Sequence, residues 1–364
     1  MNDLEKYENV IQSIFEEFKC KKFEGNNFSN AIISDSNFKE FKKSFLNKTK
    51  NIKSLVKSKD IESNEKWKKT IFDILNAIAD EKNHEGAWAE LCALETFFKI
   101  GNRGMVKLDS EINVDGNCTL GQFHKKTITN YDLSLGDNLL IDVKILSDKE
   151  QRIIQDLCDT ETNGTEVTIL PEISYQLEYG TVTSNVKKII AEIKVAINSN
   201  QSNYKSDVIE DLSYKIQRGH GVLMAVGTHH PYQYAENEHK LVFQHFNKLH
   251  LTIPTMLVYV IHPWYSNSSL ANGLEKSNEL VFRSIARRLF IQYKNKKVAT
   301  HLPNNAAENL TALMFIVDNS TKNEPNKIFF YTNPNAKNKM YSLCKDMIKD
   351  TLQCNYDDFE YDNY

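Results

Sequence analysis

Residues 126–146 read KTITNYDLSLGDNLLIDVKIL, and this stretch decides the fold. Apolar residues alternate or run together in both halves, as they do in strands. Gly136-Asp137 between the halves has the chemistry of a tight hairpin turn. Asp142 and Lys144 stand two apart in the second half. Successive side chains of a strand face opposite ways, so these two share a face, roughly 6–7 Å apart along the chain. Ile141, Val143 and Ile145 take the other face, toward a core. A charged pair on an otherwise apolar strand is costly unless it is paired or used. Asp132 lies ten positions earlier, across the turn, where both carboxylates can share one cation. The plain alternative makes Asp142 and Lys144 the solvated face of an edge strand, with Asp132 opening a turn.

Working upstream, MVKLDSEINV (105–114) is a further strand. Before it, WKKTIFDILNAIAD and HEGAWAELCALETFFKIG are strongly helical, with Gly101 placed as a C-terminal cap. The second helix carries Glu85, Glu90 and Glu95. LEKYENVIQSIFEEF is a helix nearer the N-terminus. Between Asn37 and Lys59, eight lysines accompany one acid, Glu40, while Phe41, Phe45, Ile52, Leu55 and Val56 keep an approximate helical repeat. This segment is either the solvated face of an amphipathic helix pair or a phosphate-contacting arm using Lys42, Lys43 and Lys50.

Downstream, helices are expected at 147–159 and 184–200, and DVIEDLSYKIQ (207–217) reads as another. GVLMAVG (221–227) and PTMLVYVI (254–261) are strands separated by a helical AENEHKLVFQHFNKLH, which makes a βαβ unit. A basic helix at 275–293 carries Arg283, Arg287 and Arg288, a second candidate backbone contact. The apolar segments ALMFIVD and KIFFYT, a helix around NKMYSLCKDMIKDTL and an acidic, frayed tail complete the chain. The organisation is therefore a helical region over 1–66, an α/β core over 67–262 and a C-terminal α/β elaboration over 263–364.

Composition sets the class. In 364 residues, 41% are hydrophobic and 26% charged, which suits a folded globular chain and not a disordered one. The net charge of -3 excludes a wholly basic coat for nucleic acid, though not a locally basic groove. No apolar run approaches the roughly 18 residues of a membrane span. Six scattered cysteines without a CxxC pair fit reduced thiols of the cytoplasm better than a disulfide frame. His229-His230, with His239 and His245 nearby, match no familiar zinc spacing. No GKS/T phosphate loop, GxGxxG or GxSxG occurs, which argues against a nucleotide motor or an α/β hydrolase.

A helix glutamate, a strand, then Asp-x(9)-Asp-x-Lys resembles the PD-(D/E)xK nuclease superfamily. The matching residues are Glu90, Asp132, Asp142 and Lys144, and the resemblance covers residues 67–262. Tyr131 departs from the nominal proline before the first aspartate. The resemblance implies a restriction-endonuclease-like mixed sheet flanked by helices, with strand 221–227 as the next sheet member. It also implies a Mg²⁺-dependent endonuclease, with Mn²⁺ able to substitute. Asp132, Asp142, the Val143 carbonyl and Glu90 would hold the metal, and Lys144 would serve the attacking water. Glu90 is preferred to Glu85 and Glu95 for its spacing to Gly101. The resemblance favours DNA over RNA, a role in bacterial restriction or anti-phage defence, and allows a homodimer or an activating partner protein. The rival from another class is a nuclease fold kept only for binding or scaffolding.

Overall fold

The computed structural model describes residues 26–33, 37–56, 61–80, 83–100, 106–113, 119–120, 128–147, 149–173, 177, 180–219, 231–266, 270, 275–297 and 302–361. The expected N-terminal helix, Gly101, strand 221–227 and His229-His230 lie outside them. Four helices open the described chain: α1 (Asn27–Ile33), α2 (Lys39–Val56), α3 (Ile61–Ile78) and α4 (His84–Lys99). Strands β1 (Val106–Asn113), β2 (Ile128–Leu135) and β3 (Leu139–Ile145) follow. Then come α5 (Lys149–Thr162), β4 (Val167–Glu172), α6 (Val186–Asn198), β5 (Asn203–Lys205), β6 (Ser213–Arg218) and α7 (Pro231–Phe243). The chain continues through a 3₁₀ turn (Phe246–Lys248), β7 (Thr255–Ile261) and α8 (Glu275–Arg287). It ends with β8 (Leu310–Val317), β9 (Lys327–Thr332), α9 (Ser342–Leu352) and β10 (Asn355–Asp357).

The chain is α/β, with two compact units whose limits cut across the boundaries read from sequence. One unit joins residues 1–147 to 245–364, and the other is the continuous span 148–244. The first unit holds a mixed seven-stranded sheet in the order β1-β2-β3-β7-β8-β9-β10. β1, β2 and β3 form an antiparallel meander, β3, β7 and β8 run parallel, and β9 is antiparallel to β8. The last three strands come from 310–357, so the region beyond 262 completes the sheet and is no appendage. The strand beside β3, in parallel register, is β7 (Thr255–Ile261).

Alternation divides the sheet's two faces. Ile141 and Val143 of β3, Met256, Val258 and Val260 of β7, and Ala312, Met314 and Ile316 of β8 point to one face. There they bury against Phe28, Phe41, Trp88, Leu91 and Leu94 of α1, α2 and α4. The N-terminal helices therefore belong to the main core. Phe315 of β8 and Phe329 of β9 point to the other face, where Phe315 stacks on Phe282 of α8 at a centroid separation of 4.3 Å and Phe329 meets it edge to face at 5.1 Å.

The expected basic helix holds α geometry to Arg287 and passes into a π turn over Arg288–Gln292. The tail is not frayed through residue 359: Asn355–Asp357 pair with β9, and Phe359 is buried.

The 148–244 unit has its own antiparallel sheet, β4-β6-β5, and a core that includes Ile154, Cys158, Ile169, Ile189, Ile193 and Tyr214. Here one expectation fails. Residues 207–217 do not form a helix: Asp207–Leu212 is a turn and Ser213–Arg218 is β6. Buried Glu192 gathers the turn, accepting from the Ser206 hydroxyl at 2.7 Å and from the Asp207 and Val208 amides at 2.7 and 3.0 Å.

Candidate active site

The β2–β3 hairpin brings three of the sequence-derived residues together. Its loop has three residues, 136–138, and not two. Gly136 sits at φ +60° and the Asn138 amide donates to the Leu135 carbonyl at 3.3 Å. Leu135 pairs with Leu139 and Leu133 with Ile141. One step further in that register, Asp132 lies opposite Asp142, with both carboxylates on one face. The Val143 amide donates to Asp132 Oδ2 at 2.6 Å, which locks the first carboxylate onto the second strand. β3 is the third strand of seven and Asp142 has no exposed surface, so the edge-strand alternative falls.

Asp142 is held by two ammonium groups. Lys144 Nζ lies 2.6 Å from its Oδ2, and Lys248 Nζ donates to its Oδ1 at 2.8 Å. Burial alone would raise the Asp142 pKa. The two lysines outweigh it and hold the carboxyl below its ordinary value. Asp132 goes the other way: burial and then the charge of Asp142 raise it, against the pull of Lys144, the Val143 amide and Lys248. The two carboxylates thus titrate as an interacting pair, Asp132 being displaced upward in part by the charge of Asp142.

Lys248 escaped the sequence reading. It closes the 3₁₀ turn before β7, 106 positions from Asp142, and no local pattern announces so distant a partner. Burial works against its charge, but Asp142 raises its pKa, with smaller contributions from Asp132 and Glu90. Glu90, half-buried on α4, is thus within electrostatic reach of the same cluster. Its two rivals are committed elsewhere. Glu95 takes Lys48 at 2.5 Å, and Glu85 accepts the Ser147 hydroxyl at 2.5 Å.

His245 and Tyr259 adjoin the site, their rings 5.9 Å apart. Burial and the positive charge of Lys144 and Lys248 push His245 down to about 4, against Asp142, so its imidazole is neutral at pH 7. Tyr259 pairs in register with Lys144 across β3–β7, and among the described residues its buried hydroxyl finds no hydrogen-bond partner.

The candidate backbone contacts divide. Lys43 and Lys50 are exposed on α2, whereas Lys42 is buried at 4% exposure, so it cannot belong to a solvent-facing arm. Arg283 is taken by the C-terminal strand, with its Nε 2.5 Å from Asp357 and its guanidinium 5.0 Å from the Phe359 ring. Arg287 and Arg288 are partly exposed.

The donor set suits a hard divalent cation, being two carboxylates and a peptide carbonyl, all oxygen. Among the described residues no group of three or more His, Cys, Asp or Glu side chains could hold a metal. An ion here would rest on Asp132, Asp142 and the Val143 carbonyl, which now accepts from Lys144 Nζ at 2.9 Å, and would keep waters elsewhere. Among the described residues no helix is long and apolar enough to cross a membrane. Comparison with protein-family models, curated proteins and solved structures finds no match to this chain.

Proposed function

We propose that this chain is a metal-dependent nuclease of the restriction-endonuclease-like kind, acting on DNA before RNA. One observation carries the reading: Asp132 and Asp142 face each other across a hairpin, with Lys144 on the same face and the cluster partly open to solvent. A phosphodiester is a poor electrophile wrapped in negative charge, and the buried Asp142 and half-buried Asp132 carboxylates alone would repel it. Mg²⁺ held by Asp132, Asp142 and the Val143 carbonyl would supply that neutralisation and a bound water of lowered pKa. The chain's own part is positional. The Val143 amide aims Asp132, while Lys144 keeps an ammonium where it can orient the attacking water and meet charge developing on the phosphate. Of the candidate backbone contacts, Lys43 and Lys50 are exposed and Arg287 and Arg288 partly exposed, so phosphate could reach these four.

A second reading has its own support. Both oxygens of Asp142 already carry an ammonium partner, as in a structural ion cluster, and a binding protein that keeps the fold would look the same. Plasmid, linear duplex, single-stranded DNA and RNA, each with Mg²⁺, Mn²⁺ or EDTA, separate the two. The nuclease reading expects cleavage that stops in EDTA and falls at least about 100-fold in Asp142→Ala and Lys144→Ala. Cleavage that survives in both variants would remove the assigned mechanism. No cleavage under any condition would favour the binding protein.

A further inference from the structure

We infer that Lys248 is a resident cation of the candidate metal position, and that a divalent ion must displace its ammonium from Asp142 to bind. The inference rests on the metal site proposed above and concerns how that site is controlled. Oδ1 of Asp142 is the oxygen that Lys248 occupies, at 2.8 Å, while Lys144 takes Oδ2 at 2.6 Å. Asp132 Oδ2 accepts from the Val143 amide and the Val143 carbonyl accepts from Lys144 Nζ, so these two oxygens of the site also have partners.

The two lysines are not equivalent. Lys144 rides on β3 itself, two residues from Asp142, and its Nζ also bonds the carbonyl of its neighbour Val143, so both its anchors lie on the same strand as Asp142. Lys248 arrives from a separate turn, and its side chain is 37% exposed. It has solvent to retreat into.

Its backbone is nevertheless fixed. The hydroxyl of Tyr131, whose ring is buried, donates to the Lys248 carbonyl at 2.6 Å. The Leu120 amide donates to the carbonyl of the next residue, Leu249, at 3.0 Å. An anchored backbone with a free-ended four-carbon stem lets the ammonium swing out and return without moving the turn. Displacement exchanges one charge-assisted hydrogen bond for a metal–carboxylate bond and removes a like charge from the incoming ion's path.

Mn²⁺ binding to the full chain, followed by titration calorimetry and by water-proton relaxation at pH 8, tests this without reference to cleavage. Lys248→Met should bind Mn²⁺ about tenfold more tightly than wild type, the order of one charged hydrogen bond removed from competition. Lys248→Arg, which keeps the cation, should bind no more tightly than wild type. Lys248→Gln guards against a folding defect in the Met variant and should also gain affinity. Asp142→Ala should abolish binding in every background, which ties the signal to this site.

Unchanged or weaker Mn²⁺ affinity in both Met and Gln variants, with Asp142→Ala still abolishing it, would overturn the inference and leave the metal site standing. No Mn²⁺ binding by any variant would overturn the inference and the metal site together. Tighter binding by the Met and Gln variants in a chain that cleaves no nucleic acid would uphold the inference and remove the nuclease reading.

Discussion

Among the described residues, Asp142 and Asp318 are held ionised with no exposed surface, each by a different arrangement of partners. Asp142 relies on lysines that reach solvent. Asp318, at the end of β8, is sealed: the Trp88 indole donates to its Oδ2 at 2.7 Å, and the Ser320 hydroxyl donates to the same oxygen at 2.8 Å. Lys48, 4% exposed, stands 3.8 Å from its Oδ1 and 2.5 Å from Glu95. Removing one partner of a buried ion pair strands the other charge, at a cost of about 3–5 kcal/mol. Lys48→Met should lower the unfolding free energy by that order in urea denaturation, whereas Lys50→Met on the exposed face of α2 should change it by less than about 0.5 kcal/mol. Equal small effects would show that Lys48 holds nothing. Spacing alone could not tell these lysines apart. Lys42 and Lys48 turn inward on the same helix that sends Lys43 and Lys50 outward, because α2 is wrapped by α1 and α4 and buries more of its circumference than one apolar stripe.

At the scale of elements, the β2–β3 hairpin was the most legible part of the molecule. Its alternation, its glycine and its two acids all pointed to one register, and Asp132 facing Asp142 follows from that register. The glycine's place is specific, since Gly136 adopts φ +60° in the loop. Gly136→Ala should destabilise the protein by about 1 kcal/mol through the left-handed backbone, read as a shift of the urea midpoint without a change in slope. A neutral result would mean that the loop relaxes to another turn. Elsewhere local pattern misled. In 207–217, Val208, Ile209 and Leu212 have helical spacing, yet Asp211 at φ +59° breaks any helix, and Tyr214 and Ile216 alternate as β6 requires. Glu192, from a different helix, fixes that turn. Such a tertiary hydrogen-bond acceptor leaves no trace in a local window. The same holds for the tail, where Arg283 and β9 order residues whose own composition reads as loose.

For the molecule as a whole, acid sensitivity follows from two histidines kept neutral. Burial pushes His262 down to about 4, against the pull of Asp318, and the Trp264 amide donates to its Nδ1 at 3.1 Å. His245 is pushed down to about 4 by burial and by lysine charge. The ordinary histidine value is 6.5, so between about pH 6.5 and 4 the unfolded chain binds more protons than the folded one. Stability is therefore complete above pH 6.5 and falls as pH drops through that window. His262 alone contributes on the order of 3 kcal/mol of that fall. Urea denaturation at pH 7.5 and pH 4.5 measures it, and His262→Asn should flatten the difference; an unchanged slope would place the sensitivity elsewhere. Long-range arrangement was the least legible level. That 148–244 forms its own core, and that 310–357 closes the main sheet, depends on pairings between residues far apart in sequence.

That interruption orders events in time. On a ribosome, Asp132 and Asp142 emerge about a hundred residues before Lys248, with an entire compact unit between them. Until the 245–261 segment is made, β3 has only its β2 side paired, and Asp132 of β2 faces Asp142 of β3 with Lys144 as their sole lysine from this cluster. Closing a loop of that length carries an entropy cost that local pairings avoid. The hairpin is thus the early event of synthesis, and docking of β7 is the late one that delivers the second ammonium and finishes the site.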